Sequence, residues 1–519
     1  MQFPARPPLR LLLPGLAVGG AVLLPMVYLL WRALEATPSG LAEIVLRPRN
    51  AWLLGQTLLL MVGVQLGTAL LALPLAWLTA RTPLGKYPLL TLLLTLPLAI
   101  PGYVGAFTLL AATGPSGLLA NTLGLDLPRP SGYWGALGVL VLFTYPYLFL
   151  NLRAALLGLD PSHEEAALSL GYTRWQAFWQ VTWPQLRPAL LAGWLLIGLH
   201  VLGDFGVVSL MRYETFSLAI YTQYSASFDR IYAAWLSLML LILTGSLLWL
   251  EARLLRSLSL SRVGLGVSRK PRWVALGHWR WLAYLGLLLP LVGGLLIPLS
   301  TILYWLLRWP LDTYSLGGLL ERLSHTALAA APAALAASLL ALPLAYLGVR
   351  FPTRLSRALE RTAYLGYAMP PLAFALALIF FTLRAVPDLY QTLALLILAY
   401  TLHFLAEAIG PIRTALFQAS ARLEEAARSL GFSPLGAFIR VTLPLLWRGA
   451  LASTALVFLS CVKELPLTFL LAPVGFDTLA TRVWGYTSEA MYAEAAPHAL
   501  LIVAFSALFV GLLLTREDR

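Results

Sequence analysis

Two segments, Glu164-Glu165-Ala166-Ala167-Leu168-Ser169-Leu170-Gly171 and Glu424-Glu425-Ala426-Ala427-Arg428-Ser429-Leu430-Gly431, repeat one another 260 positions apart. Glutamates offer charge-assisted hydrogen bonds, and alanines let another surface come close. This is the chemistry of gripping, and no catalytic residue is expected. A second pair of acids, Asp204 and Glu464, stands at the same spacing inside apolar sequence. Charges there are expensive and usually face a cavity or a partner. His200 with Asp204, and His403 with Glu407, stand one helical turn apart and offer transient metal contacts, with core histidines as the plainer reading.

These residues sit in a chain of 519 that is 59% hydrophobic and only 11% charged, too few charges to clothe a soluble protein of that size. Apolar runs of roughly 20 residues, the length that crosses hydrocarbon as a helix, recur about twelve times. They include the runs at 87–112, 188–210, 362–383, 389–412 and 449–472, each counted as one crossing. The first run is longer than a signal core and reads as an uncleaved span. The expected fold class is therefore an all-α polytopic membrane protein. Most of the 36 basic residues fall on one side if both termini are cytoplasmic, among them Arg81, Lys86, Arg253, Arg350 and Arg354. The net charge of +13 thus reports orientation; membrane lipid is an expected partner and nucleic acid is not. The single cysteine, Cys461, excludes an internal disulfide.

The duplication extends beyond the handles. Leu71-Ala72-Leu73-Pro74-Leu75-Ala76-Trp77 parallels Leu340-Ala341-Leu342-Pro343-Leu344-Ala345-Tyr346, and Arg81, Thr57 and Pro101 match Arg350, Thr326 and Pro370. The expected organisation is a first repeat at 1–256, a cytoplasmic linker at 257–280 and a second repeat at 281–519. An even number of spans per half makes the repeats parallel, presenting both handles on one cytoplasmic face. A partner that matches both would be a symmetric pair of identical subunits.

Each handle, at 161–187 and 421–447, is expected to fold as helix, sharp turn and helix. Ser162 and Glu165 have capping-box spacing, which starts the first helix near Ser162. Gly171 and Gly431 suit a left-handed end, and Thr173 and Ser433 suit the N-caps that follow. The alternative is that Glu165 and Glu425 only cap, or pair with arginines of their own chain.

The two segments resemble the EAA loops of permease subunits from type I ABC importers: Glu-Ala-Ala, three residues, Gly, nine residues, a branched apolar residue, one residue, Leu-Pro. Both copies keep this spacing, departing in Val181 and Val441 at the branched position and Trp183 in place of Leu. The resemblance implies two parallel six-helix repeats of the type I ABC importer permease fold. It also implies coupling to an ATPase through Glu165, Ala166, Ala167 and Gly171 and through Glu425, Ala426, Ala427 and Gly431. Two copies of a cytoplasmic ABC ATPase would bind ATP and Mg, with no cofactor in this chain. A P-loop needs Gly-Lys followed by Ser or Thr, whereas the three lysines precede Tyr87, Pro271 and Glu464.

The stretches Leu202 to Val208, Val462 to Thr468, Thr222-Gln223-Tyr224, Phe228-Asp229-Arg230 and Thr481 to Tyr486 look like the fused ferric-iron permeases, with thiamine permeases next. That implies ferric iron delivered by a periplasmic or lipid-anchored binding protein across a bacterial inner membrane. Asp204, Lys463, Glu464, His200, His403 and Glu407 are the candidate pathway residues, with no stable metal site, since hard cations favour oxygen ligands but a tight site would trap them. Against this, Asp204 and Glu464 could cap broken helices or pair with Arg212 and Lys463. Thiamine, polyamine, sulfate and phosphonate importers share the machine, and an ion-coupled secondary transporter is the reading from another class.

Overall fold

The computed structural model describes residues 9–35, 43–227, 229–257, 273–308 and 316–517; Phe228 and positions 258–272 of the expected linker lie outside them. Every regular element described is helical, as apolar surroundings require when backbone groups must find partners within their own segment. Among the described residues nine helices are long and apolar enough to cross a membrane, or up to twelve if each of three bent pairs is one span.

The bends fall inside runs that hydropathy reads as continuous. Pro88–Ala99 and Gly102–Ala112 meet at 94°, and Arg354–Ala368 and Pro371–Ala385 at 105°. The matched prolines, Pro101 and Pro370, explain both: proline pushes the residue before it out of helical geometry. Ile100 and Met369 are accordingly extended. Leu393–His403 and Leu405–Gln418 bend by 50° at Phe404. The runs at 188–210 and 449–472, each counted as one crossing, are likewise interrupted. Their helices stop at Gly203 and Lys463, and short helices Gly206–Leu210 and Pro466–Leu471 follow. Pro466 lacks the amide hydrogen the helix would need there, and Gly203 and Gly206 weaken helix in the first copy.

The duplication is visible in packing. Pro48–Arg81, Gly132–Gly158 and Trp183–Gly203 pack on one another, as do Leu316–Arg350, Leu405–Gln418 and Leu443–Lys463. Yet the two compact units do not coincide with the repeats. One comprises Met1–Arg47, Ala219–Leu241 and Leu311–Arg482; the other Pro48–Leu218, Ile242–Pro310 and Val483–Arg519. In the first unit, helix Leu9–Leu34 of the first repeat lies against Arg354–Ala368 and Pro371–Ala385 of the second. In the other, Ile297–Leu306 of the second repeat lies against Gly102–Ala112 of the first.

Small residues make the first of these contacts close, as is usual between membrane helices. A Cβ at Gly15 would meet Leu359 at 3.1 Å and one at Gly19 would meet Thr362 at 3.2 Å, whereas one at Gly20 would meet nothing within 4 Å. Gly19→Leu should therefore cost about 1–3 kcal/mol through overpacking, and Gly20→Leu less than about 0.5 kcal/mol. Thermal unfolding of the two variants in detergent checks this; equal midpoints would refute the packing argument.

Candidate functional site

Both handles fold as paired helices. The first helix runs Pro161–Ser169 in one copy and Ala421–Ser429 in the other. Its cap is not the expected Ser162. Asp160 accepts from the Ser162 amide at 2.9 Å, and Ser420 accepts from the Arg422 amide at 3.3 Å. Asp160 takes that place because Pro161, having no amide hydrogen to satisfy, fits the first helical position.

Both helices end alike. Gly171 and Gly431 have φ of 89° and 90°. Their amides reach the carbonyls of Leu168 and Arg428 at 3.1 Å, while the next amides, Tyr172 and Phe432, reach Ala167 and Ala427 at 3.1 and 3.2 Å. This is a Schellman ending, in which glycine reverses the chain while satisfying the last carbonyls. Thr173 forms a full capping box with Gln176, and Ser433 accepts from the Gly436 amide at 3.1 Å. The expected glycine turns at Gly171 and Gly431 and N-caps at Thr173 and Ser433 are present.

A wide helical turn follows in each copy, Phe178–Thr182 and Phe438–Thr442, closed by the amides of Trp183 and Leu443 onto residues five back. Pro184 and Pro444 account for it. A proline ring would strike the carbonyl four residues earlier in an ordinary helix, and one extra residue in the turn makes room. Thr182-Trp183-Pro184 and Thr442-Leu443-Pro444 carried that signal in the sequence.

The sides of the first helix of each handle separate cleanly. Glu165, Ala166 and Ala426 are exposed and Glu425 is half-buried, and neither Glu165 nor Glu425 has a side-chain partner among the described residues. Ala167 and Ala427, grouped with them by the motif, are buried in their own unit instead. The inward contacts belong to the preceding glutamates. Glu164 stands 3.8 Å from the guanidinium of Arg81, while Glu424 is buried and accepts from Tyr346 and Thr442. Spacing held the clue, since Glu424 and Ala427 are three apart and share a helix face. Leu170 and Leu430, 78% and 80% exposed, crown the turns. The outward side thus offers a carboxylate, a small residue and a leucine to an approaching surface.

The same doubled pattern appears among known proteins. The family model described as binding-protein-dependent transport system inner membrane component matches residues 72–259 and again 333–516. The chain belongs to this family. The Fe(3+)-transport system permease protein FbpB 2 of Haemophilus influenzae is 35% identical over 515 residues, 98% of this chain and 99% of that protein. The sulfate transport system permease protein CysT of Escherichia coli is 30% identical over 236 residues, 44% of this chain but 84% of its own. The molybdenum transport system permease protein ModB of Escherichia coli is 31% identical over 157 residues, 29% of this chain and 69% of its own. The chain is a multi-pass permease subunit of an ABC importer, with two family domains in one polypeptide.

In this permease the paired acids cap broken helices. Asp204 accepts from the amides of Val207 and Val208 at 2.9 and 3.3 Å, and Glu464 from that of Leu467 at 3.0 Å. Thr57 and Thr326, matched in sequence, accept from the Phe216 and Leu479 amides at 3.1 and 3.0 Å, where the next helices begin. His403 is buried among the rings of Tyr367, Phe374 and Phe404, the surroundings of a core histidine. Glu407 accepts from Ser460 at 2.6 Å and lies within electrostatic reach of Lys463. The positions equivalent to Glu407 and Ser460 are Tyr147 and His200, whose rings also touch, with centroids 6.2 Å apart. His200 is therefore equivalent to Ser460 and not to His403. Among the described residues no group of three or more His, Cys, Asp or Glu could hold a metal ion. Cys461 is buried and free.

Asparagine caps helices about as well as aspartate, while alanine at a cap costs about 0.5–2 kcal/mol. Asp204→Asn should leave thermal stability and uptake within about twofold of wild type on that account, and Asp204→Ala should lose stability. A stable Asp204→Asn protein that no longer transports would show that the charge itself is required.

Proposed function

We propose that this permease passes ferric iron into the cytoplasm from an extracytoplasmic binding protein, driven by two copies of a separate ABC ATPase that bind ATP and Mg. The observation that carries the cargo is the end-to-end similarity to a ferric-iron permease, 98% of this chain against 99% of that one, whereas the sulfate relative spans 44% of this chain. The paired coupling helices support the motor. Each is a short rigid unit, capped at both ends, that can carry force without deforming. ATP binding would close the two ATPases, draw the coupling helices inward and open the pathway outward, with hydrolysis resetting it. Energy enters as a difference in contact between the two states. Both termini would lie in the cytoplasm, as the basic residues favour.

Reconstitution in proteoliposomes with its own ATPase should give nucleotide hydrolysis that rises with a binding protein loaded with ferric iron, together with iron uptake. Stimulation instead by a thiamine- or sulfate-loaded binding protein would replace the cargo and keep the machine. Uptake driven by an ion gradient without the ATPase would overturn both. Substitution at the turns is a sharper probe of the contact. A Cβ at Gly171 or Gly431 meets nothing within 4 Å in the chain itself, so alanine costs only the left-handed backbone, about 1–2 kcal/mol. Leucine should add little to that cost yet abolish pull-down of the ATPase, because the added volume projects where the partner sits. Normal pull-down by the double leucine variant would place the contact elsewhere.

A further inference from the structure

We propose that Glu424 and Tyr346 are positioning residues that hold the second coupling helix more rigidly than Glu164 holds the first, making the two levers mechanically unequal. The inference rests on the reading that these helices receive work from an ATPase.

The two copies are equivalent in backbone and unlike in fastening. Glu424 is 3% exposed and joins three elements. It lies on the coupling helix, accepts a hydrogen bond from the Tyr346 hydroxyl at the end of Leu316–Arg350, and accepts another from Thr442 in the wide turn at 3.1 Å. The Tyr346 ring also stands edge-on to Phe438, the first residue of that turn, at 5.3 Å. One turn along the same span, Arg350 donates to the carbonyl of Ala419 at 2.7 Å, just ahead of the helix. Hydrogen bonds to a buried carboxylate are strong, and breaking one leaves an oxygen that is removed from water short of a donor.

At the matching place the first copy has Trp77, which has no hydroxyl, and Thr182 makes no hydrogen bond to Glu164. Among the described residues Glu164 meets only Arg81, at 3.8 Å, with its side chain 36% exposed. That separation exceeds a hydrogen bond, and a partly exposed ion pair contributes little and is screened by salt. The first helix should therefore open and shift more readily than the second, a difference in local stability within one fold. A push delivered equally to both would reach the second repeat with less loss.

Hydrogen exchange on the full-length chain in lipid nanodiscs reads this directly. In wild type, amides of 422–430 should exchange about tenfold more slowly than those of 162–170, the scale of one charge-assisted hydrogen bond. Tyr346→Phe keeps the ring against Phe438 and removes the hydroxyl; it should speed exchange at 422–430 about tenfold while leaving 162–170 and Pro371–Ala385 unchanged. Trp77→Tyr, which offers Glu164 a hydroxyl, should slow 162–170, and high salt should speed only the first helix. Equal exchange of the two helices in wild type overturns the proposal. So does a Tyr346→Phe protein in which exchange is unaltered or rises throughout. With the ATPase and binding protein added, cargo moved per ATP should fall in Tyr346→Phe while hydrolysis continues; equal loss of both would reduce these residues to structural support. Exchange needs no partner, so failure of wild-type uptake would count against the transport reading and leave this one standing.

Discussion

A helix interrupted inside hydrocarbon leaves amide groups that no water will take, and each such group costs several kcal/mol by the usual reckoning. This permease interrupts its helices repeatedly, and at four of the helix starts that follow a break a side chain supplies the acceptor. Asp204, Glu464, Thr57 and Thr326 are those acceptors. The requirement explains why matched polar residues recur in both halves and why they stand where they do. It also explains why a charge can persist in apolar sequence without a ligand: a carboxylate that accepts two amides is already employed.

The handle helices, which we propose receive the push of the ATPase, meet a different demand in the same way. A lever must not unwind when pushed, and short isolated helices are marginal by themselves. Here each is fixed at the start by Asp160 or Ser420 and at the end by a left-handed glycine. A second helix then begins at once from Thr173 or Ser433. Pro184 and Pro444 set the wide turn that joins this assembly to the next span. Backbone chemistry is therefore shared by both copies. What differs is side-chain anchorage, Glu164 against Arg81 and Glu424 against Tyr346 and Thr442, and this is where a fused pair can diverge while keeping one outline.

Much of this was legible in the sequence because caps and turns are local. Gly171, Gly431, Thr173 and Ser433 each declare their roles within four residues, and duplication confirms them. The breaks were less legible, because hydropathy measures side chains and is blind to backbone geometry; 188–210 and 449–472 read as continuous although Asp204 and Glu464 divide them. Matched Pro101 and Pro370 were visible, but their consequence, a near right-angle bend within one apolar run, was not. The exchange of Leu9–Leu34 onto the second repeat could not be read at all. It depends on which surface Gly15 and Gly19 meet, a tertiary matter. The motif also drew attention to Glu165 and Glu425, whereas the residues that hold each lever to its own chain are their neighbours, and only the helix face distinguishes the two.

Occupied polar groups bear on how the proposed cargo would pass. Ferric iron binds tightly where several oxygen ligands stand free together. Here Asp204 and Glu464 are engaged with backbone amides, and Glu407 with Ser460 beside Lys463. A cation that reached these three groups would find each already holding another partner. Weak binding is what passage requires, since an ion held firmly would not leave. On the proposed reading, discrimination among cargoes falls to the binding protein.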